Sequence, residues 1–589
     1  MASSALSARA RRRRKRQRSA PVATPRPLGS NRLRILVVWA LLMLAMGAIA
    51  GRLVWLQLLQ GDNLAQLAQQ QRYIPTVQRQ LRHPIIDRQG NILAVDRVVY
   101  TLYAHPDLFK LPPSEVAARL SPVLETPERD LVAQFGQQPT GIRVLNDLPE
   151  SVANRIQRLR LDGLELIPQQ QRFYPQQQLF APIIGFVNLD GEAQAGLELA
   201  YQDELLLPTQ APALISETAA PDHPTQTATA GLQLTLDSRL QRIAQQELQA
   251  VVQRHGAKRG TVMAMDAHSG EILALATVPT YDPNRYYDAD LSAFRNWAVS
   301  DLYEPGSTFK SINIAIALEE GVIAPDERVN DSGSLRIGPW TIRNHDFVQR
   351  GGRGVISITD VLKYSSNIGM VRIMEKMTPE TYLNWLKKIT LDQPSGIDLP
   401  AEATGHIKDR EQFIRSRIEP ATTSFGQGFS LSPVKLLQLQ ALLANGGKLV
   451  TPHVIQGLVD SDGHTLWEPE RPNPQPIFSS QTSQQVMAML ETVVADGTEA
   501  AQVEGYRIGG KTGTAQKAAG GGYGRGRITS FVGILPTDAP RYVVLGIIDE
   551  PQGANAFGST VAAPLVQEVT ESLVVLEGLP PTAAIESTP

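Results

Sequence analysis

The chain contains no cysteine in 589 residues, which excludes disulfides, cysteine nucleophiles and thiolate metal sites. Histidine is scarce as well. The nine present form neither an H-E-x-x-H pattern nor any paired spacing, so a metal hydrolase lacks its ligand signature. A dominant charge is also missing: with a formal net charge of −2, the molecule as a whole has no general attraction for nucleic acid. What remains is a 42% hydrophobic, 19% charged composition, that of an ordinary globular protein long enough for more than one domain and a large core.

The first 34 residues reverse the overall balance. They hold eleven Arg or Lys, including "RRRRKRQR" at 11 to 18, and no Asp or Glu, which predicts a disordered basic tail. "ILVVWALLMLAMGAIA" (35 to 50) then runs without a polar side chain, and the apolar pattern continues past Arg52 to Leu56. That length suits one membrane-spanning helix, with Arg52 snorkelling, Trp55 at headgroup level, and the basic tail on the cytoplasmic side. A cleaved signal peptide is the rival reading, because Ala48-Ile49-Ala50 resembles a small-residue cleavage site.

Beyond the apolar segment, residues 57 to 207 mix short strand-like runs with turn signals, among them a hairpin turn at Arg88 to Asn91. The Pro-, Thr- and Ala-rich stretch 208 to 230 reads as a linker. From 231 to 576 the pattern is regular. A helix is predicted over 238 to 256, two strands over 260 to 277, helices over 308 to 320, 357 to 377 and 433 to 445, strands at 530 to 536 and 541 to 549, and a last helix near 562 to 576. Strands early and late with helices between predict one mixed sheet built by chain ends that return to each other. Residues 577 to 589 read as a disordered tail, and the glycine-rich 520 to 527 as a flexible hairpin connection.

Chemistry concentrates in three short stretches. In "YEPGSTFK" (303 to 310), Pro305 and Gly306 lead into an apolar helix that begins at about Ser307, and the i, i+3 spacing brings Lys310 beside the serine hydroxyl. A buried lysine is driven toward its neutral form, which is a competent base for serine, and a helix N-terminus offers free N–H groups to an oxyanion. Alone, S-x-x-K is a weak pattern that a serine cap and a surface lysine also satisfy. "YSSNIG" (364 to 369) adds Ser365 and Asn367 at S-x-N spacing in a turn between helical segments. "IGGKTGTAQK" (508 to 517) adds Lys511, Thr512, Gly513 and Thr514 just ahead of the final strand pair, suited to binding a carboxylate.

The three elements stand in the order found in penicillin-binding proteins and serine β-lactamases. The sequence resembles a class B penicillin-binding protein, more narrowly the FtsI type that serves cell division. "RNWAVSDLYEPGSTFK" (295 to 310), "SFGQGFSLSPVKL" (424 to 436), "ANGG" (444 to 447) and "SFVG" (530 to 533) resemble its transpeptidase domain, while "IIDRQGNILA" (85 to 94), "RFYP" (172 to 175) and "AGLELAYQDEL" (195 to 205) resemble its pedestal. One departure is His83-Pro84 after Arg82, where the family usually has a glycine. The resemblance implies an α+β chain: a single transmembrane helix, an elongated pedestal, and a transpeptidase domain whose antiparallel sheet is flanked by helices.

It further implies a D,D-transpeptidase of septal wall synthesis at the bacterial inner membrane, acting on stem peptides and acylated by β-lactams. No cofactor or metal is required, nucleic acid is not a partner, and a membrane-embedded glycan polymerase with other division proteins is. Ser307, Lys310, Ser365, Asn367 and Lys511 are then catalytic, Thr512, Gly513 and Thr514 bind substrate, and the backbone N–H groups of Ser307 and Thr514 form the oxyanion hole. Arg172 and Arg353 read as structural ion-pair partners outside the site. An elongation-type enzyme, a carboxypeptidase, a β-lactamase and a mainly structural division component stay open as alternatives.

Overall fold

The computed structural model describes residues 29–56, 81–207, 230–519 and 522–582. The chain forms two compact units, Met1–Gln78 and Arg79–Pro589. Most of the basic tail, residues 57–80 and nearly all of the 208 to 230 linker lie outside the described residues.

The first unit is described as one helix, α1 (Gly29–Val54). Its Leu33–Val54 stretch has a mean hydropathy of 2.3, and no residue of it is buried by the protein. At 1.5 Å per residue, 22 residues reach about 33 Å, long and apolar enough to cross a bilayer.

The second unit begins with a hairpin of β1 (Ile85–Ile86) and β2 (Ile92–Ala104). Its turn is built by the fully buried Asp87, which accepts hydrogen bonds from the N–H groups of Gln89 and Asn91 and from the Asn91 side chain, while Gly90 takes a φ of 86°. The 13-residue β2 pairs with both β3 (Ile142–Pro149) and β4 (Leu164–Phe173), antiparallel. Helices α2 (Pro113–Leu124), α3 (Glu128–Phe135) and α4 (Glu150–Arg158) cover one face of this sheet. Leu102, Leu120, Phe135, Ile142 and Ile156 form the local core between them.

The pedestal and the rest of the unit share a sheet. β1 runs parallel to β5 (Gly231–Leu234), with Ile85 opposite Leu232. β5 in turn pairs with a strand at Ile455–Val459, and the same large hydrophobic core continues from Ile85 and Phe180 to Ile314 and Leu439. Where the two regions meet, the buried Arg82, Arg172 and Glu198 cluster with the half-buried Asp96. Arg172 bonds Glu198 at 2.7 Å and Asp96 at 3.0 Å, and Arg82 approaches Glu198 at 3.3 Å. Burial pulls the Arg172 guanidinium down, and the Glu198 and Asp96 carboxylates more than reverse it. Arg82 Nη1 also reaches the Glu198 carbonyl, and His83 Nδ1 lies 2.6 Å from the Ala230 carbonyl, so the departure at His83-Pro84 is absorbed by a local hydrogen bond.

The rest of the unit centres on a five-stranded sheet in which β6 (Arg259–Asp266) and β7 (Ile272–Val278) join β8 (Gly509–Ala519), β9 (Gly522–Leu535) and β10 (Tyr542–Asp549), in the order β8-β9-β10-β6-β7. Every pairing is antiparallel, as the resemblance implies, in place of the mixed sheet expected from the order of elements alone. All eight residues of β10 are buried, as suits a strand covered on both faces. α5 (Ser238–Arg254) and the C-terminal helix Ala563–Leu576 cover one face. The other face carries α6 (Lys310–Glu319), α7 (Ile358–Lys363), α8 (Asn367–Met374), α9 (Pro433–Ala444) and α10 (Ser480–Gly497).

Three further expectations are refined or corrected. The stretch predicted as helix over 357 to 377 is two helices, α7 and α8, parted at Tyr364–Ser366 by the turn expected around the S-x-N residues, where Ser365 takes a left-handed φ of 53°. The glycine-rich stretch is strand from Gly522 onward, since extended backbone paired to β8 needs no side-chain bulk. The tail is ordered through Thr582: Glu577 bonds Arg88 and Tyr542, Tyr506 donates to the Leu579 carbonyl, and Thr582 N–H donates to Gly505.

Candidate active site

Ser307 sits one turn before α6, in a 3-10 turn (Gly306–Phe309), so the α-helix starts at Lys310 rather than at the serine. The i, i+3 relation survives the change, because side chains three apart eclipse in a 3-10 turn. The turn is clamped from behind. Gly306, at φ 59°, donates its N–H to the Gly426 carbonyl at 2.9 Å, and a Cβ on Gly426 would stand 2.0 Å from the Gly306 carbonyl oxygen. Gln440 Nε2 holds the Thr308 carbonyl at 2.8 Å, and Thr308 Oγ1 donates to the Pro305 carbonyl. Both groups are buried, so these bonds fix where the half-buried Ser307 points.

Lys310 is fully buried. Its Nζ lies 2.6 Å from the Ser365 carbonyl, 2.8 Å from Asn367 Oδ1 and 3.2 Å from Ser365 Oγ. Burial, then the neighbouring Lys511 charge, pushes the amine well below the ordinary lysine range, with Asp331 opposing weakly. Lys511, 1% exposed, donates to the Thr512 carbonyl at 3.0 Å and to Ser365 Oγ at 3.2 Å, and burial brings it down to about 7. Ser365 Oγ therefore stands between two lysines. A neutral Lys310 has two N–H bonds for the Ser365 carbonyl and Asn367 Oδ1, leaving its lone pair free to accept a hydroxyl proton.

The S-x-N turn rests on a platform that the sequence reading did not find. Asn344 Oδ1 accepts the N–H groups of Asn367 and Ile368 at 2.9 and 3.1 Å, and its Nδ2 is held by both oxygens of the buried Asp331 at 2.8 Å. Asn367 Nδ2 donates to the Arg343 carbonyl, and Ser366 caps α8 through Gly369 N–H. The only signal for this platform is polar residues inside "VNDSG" and "IRNHD", which read as ordinary loop.

On the opposite wall runs β8, an edge strand paired only with β9. A Cβ on Gly513 would stand 2.4 Å from Ser530 Oγ and 3.0 Å from Thr308 Cγ2, so the strand lies against the Ser307 turn only because this residue is glycine. Thr512 is half-buried and Thr514 exposed toward the cleft, with Thr514 Oγ1 accepting the Gly558 N–H at 3.1 Å. Of the eight residues expected in the site, Lys310, Ser365, Asn367 and Lys511 are joined by hydrogen bonds, and Gly513 brings β8 against the Ser307 turn. Arg172 lies in the buried pedestal cluster, while Arg353 pairs with Asp346 and covers the Tyr364 ring at 4.3 Å.

Residues 260–571 match the penicillin-binding protein transpeptidase domain, and residues 79–275 match the penicillin-binding protein dimerisation domain. The chain belongs to the penicillin-binding transpeptidase family. It is a serine-type transpeptidase of that family, and the β8 strand and the Ser307 turn both lie within the matched catalytic domain. Penicillin-binding relatives resemble it along nearly its whole length. A peptidoglycan D,D-transpeptidase FtsI homolog of Mesostigma viride is 38% identical over 93% of this chain and 96% of its own. The corresponding homolog of Chlorokybus atmophyticus is 36% identical over 94% and 98%. Stage V sporulation protein D of Bacillus subtilis (strain 168) is 32% identical over 93% and 86%. Among solved structures, penicillin-binding protein 3 of Mycobacterium tuberculosis complexed with aztreonam is similar at a TM-score of 0.65 and 26% identity, covering 86% of this chain and 98% of that one.

Proposed function

We propose that this chain is a membrane-anchored D,D-transpeptidase that cross-links peptidoglycan stem peptides during septal wall synthesis. The observation that carries the reading is a pair of buried lysines sharing one serine hydroxyl beside a clamped Ser307 turn. Lys310, neutral through burial, takes the Ser307 proton, and Oγ attacks the carbonyl between two terminal D-alanines. The oxyanion is held by the backbone N–H groups of Ser307 and Thr514, close to the start of α6. Ser365 passes the proton from Lys310 to the leaving amine, and Asn367 orients the donor peptide. Lys511, Thr512 and Thr514 hold the terminal carboxylate, and Gly513 lets the strand approach.

D-Alanine leaves, an amine from a second stem takes the acyl group, and Ser307 recovers its proton. β-Lactams follow the first step and stall as acyl-enzymes. Similarity to FtsI-type relatives supports the septal assignment and a membrane-embedded glycan polymerase as partner. The apolar length of Leu33–Val54 and the basic block before it support an anchor with its N-terminus in the cytoplasm and its catalytic region outside the inner membrane.

Intact-mass analysis of the detergent-solubilised full chain with benzylpenicillin tests the reading. One adduct that persists for hours on the wild type and is absent from Ser307→Ala is expected. An adduct that survives in Ser307→Ala, or that hydrolyses within seconds as in a β-lactamase, sinks it.

A further inference from the structure

Asp331 ends the strand Arg328–Asp331 and is fully buried, and among the described residues no cation comes within ion-pair distance of it. A lone carboxylate there is costly. Its oxygens are met only by N–H groups: Gly333 N–H at 2.8 Å on Oδ1, and Asn344 Nδ2 at 2.8 Å from both. The acyl-transfer steps make no use of it.

Donor and acceptor polarity carries its influence to the base. A carboxylate only accepts, so the Asn344 amide turns Nδ2 toward Asp331 and Oδ1 outward, to the N–H groups of Asn367 and Ile368. The Arg343 carbonyl, one residue back, also only accepts, and it takes Asn367 Nδ2 at 2.9 Å. That leaves Asn367 Oδ1 for Lys310 Nζ at 2.8 Å. Two amides that could each be reversed are thus set one way round by the acceptors behind them, and the lysine must direct an N–H at Asn367. Were that amide reversed, its NH2 would face the amine and claim the lone pair that the hydroxyl proton needs.

Charge follows the same line. Lys511 from β8 and His345 from the loop that carries Asn344 face the amine, Asp346 and Arg353 lie beyond the imidazole, and Asp331 lies behind the turn. Burial and the Lys511 charge push the Lys310 amine down, and Asp331 holds it up.

We propose that Asp331 and Asn344 are positioning residues for the Lys310 base: the pair orients the amide on which the lysine rests and places a buried negative charge behind it. This role rests on the acyl-transfer reading above.

Benzylpenicillin acylation of the detergent-solubilised full chain, followed against pH and resolved into a binding constant and a rate constant per reacting Ser307, separates geometry from charge. Asp331→Asn keeps an oxygen for Asn344 Nδ2 and removes the charge, so Lys310 should lose its proton more readily. The acidic limb of the rate constant should move to lower pH by about half a unit, less than the roughly one to three units of an opposite charge in direct contact, with the plateau within about threefold. The exchange of Asp331→Asn with Asn344→Asp retains the hydrogen bonds, since a carboxylate at 344 accepts both N–H groups of the turn and the amide at 331, and it brings the charge nearer to Lys310. Its limb should stand at or above the wild-type position. Asn344→Ala keeps the charge and removes the orientation: the rate constant should fall about tenfold or more, with the binding constant unchanged.

Counting per reacting serine cancels any partly unfolded fraction. A limb that stays in place in Asp331→Asn, or that vanishes in His345→Gln and so belongs to the imidazole, overturns the role of the charge. Should Asp331→Asn not fold, the exchange decides, and a limb below the wild-type position overturns that role. An unchanged rate constant in Asn344→Ala overturns the orienting role. Failure of benzylpenicillin to label Ser307 of the wild type would instead overturn the acyl-transfer reading itself.

Discussion

Two of the places where the molecule buries charge do so in opposite ways. At the pedestal junction, Arg82 and Arg172 meet Glu198 and Asp96, two cations against two anions, all hydrogen-bonded. In the catalytic cleft, Lys310 and Lys511 are equally buried but face each other's charge, with only neutral oxygens as hydrogen-bond partners. A balanced cluster, in which each buried charge meets an opposite one, fixes geometry. Two like charges around one hydroxyl cannot both stay ionised at low cost, so Lys310 is pushed toward its neutral form, the state that the proposed base requires. The same desolvation thus makes structure in one region and chemistry in the other, and the difference lies in the partners.

The contrast breaks most visibly at Lys310. Lys310→Ala should lower the second-order rate of benzylpenicillin acylation by about a thousandfold or more, as expected for loss of the base, while circular dichroism stays native. An undiminished rate would assign the base to another group. Next comes the pedestal: Glu198→Gln leaves two buried guanidiniums with one carboxylate and should cost about 3–5 kcal/mol in unfolding free energy, with folded protein still acylated at Ser307. A loss below ~1 kcal/mol would mean that water already reaches the cluster.

A subtler separation is by pH. Lys511 at about 7 should lose its charge, and with it the carboxylate anchor, as pH rises, so the acylation rate constant for benzylpenicillin should fall above pH about 7. On the low-pH side, the rate falls as Lys310 gains a proton, at a pH well below the ordinary lysine range. A rate that climbs steadily to pH 10 would contradict both assignments. The smallest effect is expected where charge is not buried at all. Lys110 and Asp162 pair at 3.0 Å with side chains 77% and 46% exposed, and Lys110→Ala should change stability by no more than ~0.5 kcal/mol.

Local signals made much of this legible before any coordinates. Periodicity located α5, α9, α10's neighbours in the core and the β6–β7 hairpin, because burial of one face writes itself into residue spacing. The three motifs named the eight site residues, since each needs a particular side chain at a particular offset. Where the reading slipped, the cause was tertiary. Ser365 breaks a helix that Ile358, Leu362, Ile368 and Met374 continue in pattern, because the turn is held open by Lys310 and Asn344 from outside it. The Asp331–Asn344 platform was invisible, since its two residues are thirteen apart, one at a strand end and one in a loop, and meet only in the fold.

What the sequence determined by itself is the inventory: no thiol chemistry, one apolar segment of membrane length, and a serine, two lysines and an amide in three short motifs. What only the tertiary structure decided is the state of those groups. Whether Lys310 is a base or a surface charge depends on how completely it is dried and on which charge stands beside it. Those depend on Gly426, Gly513 and Asn344 bringing a turn, a strand and a loop from distant parts of the chain within hydrogen-bond reach. Covalent order fixes which groups exist, but a pKa is set by solvent and neighbours, and folding chooses both.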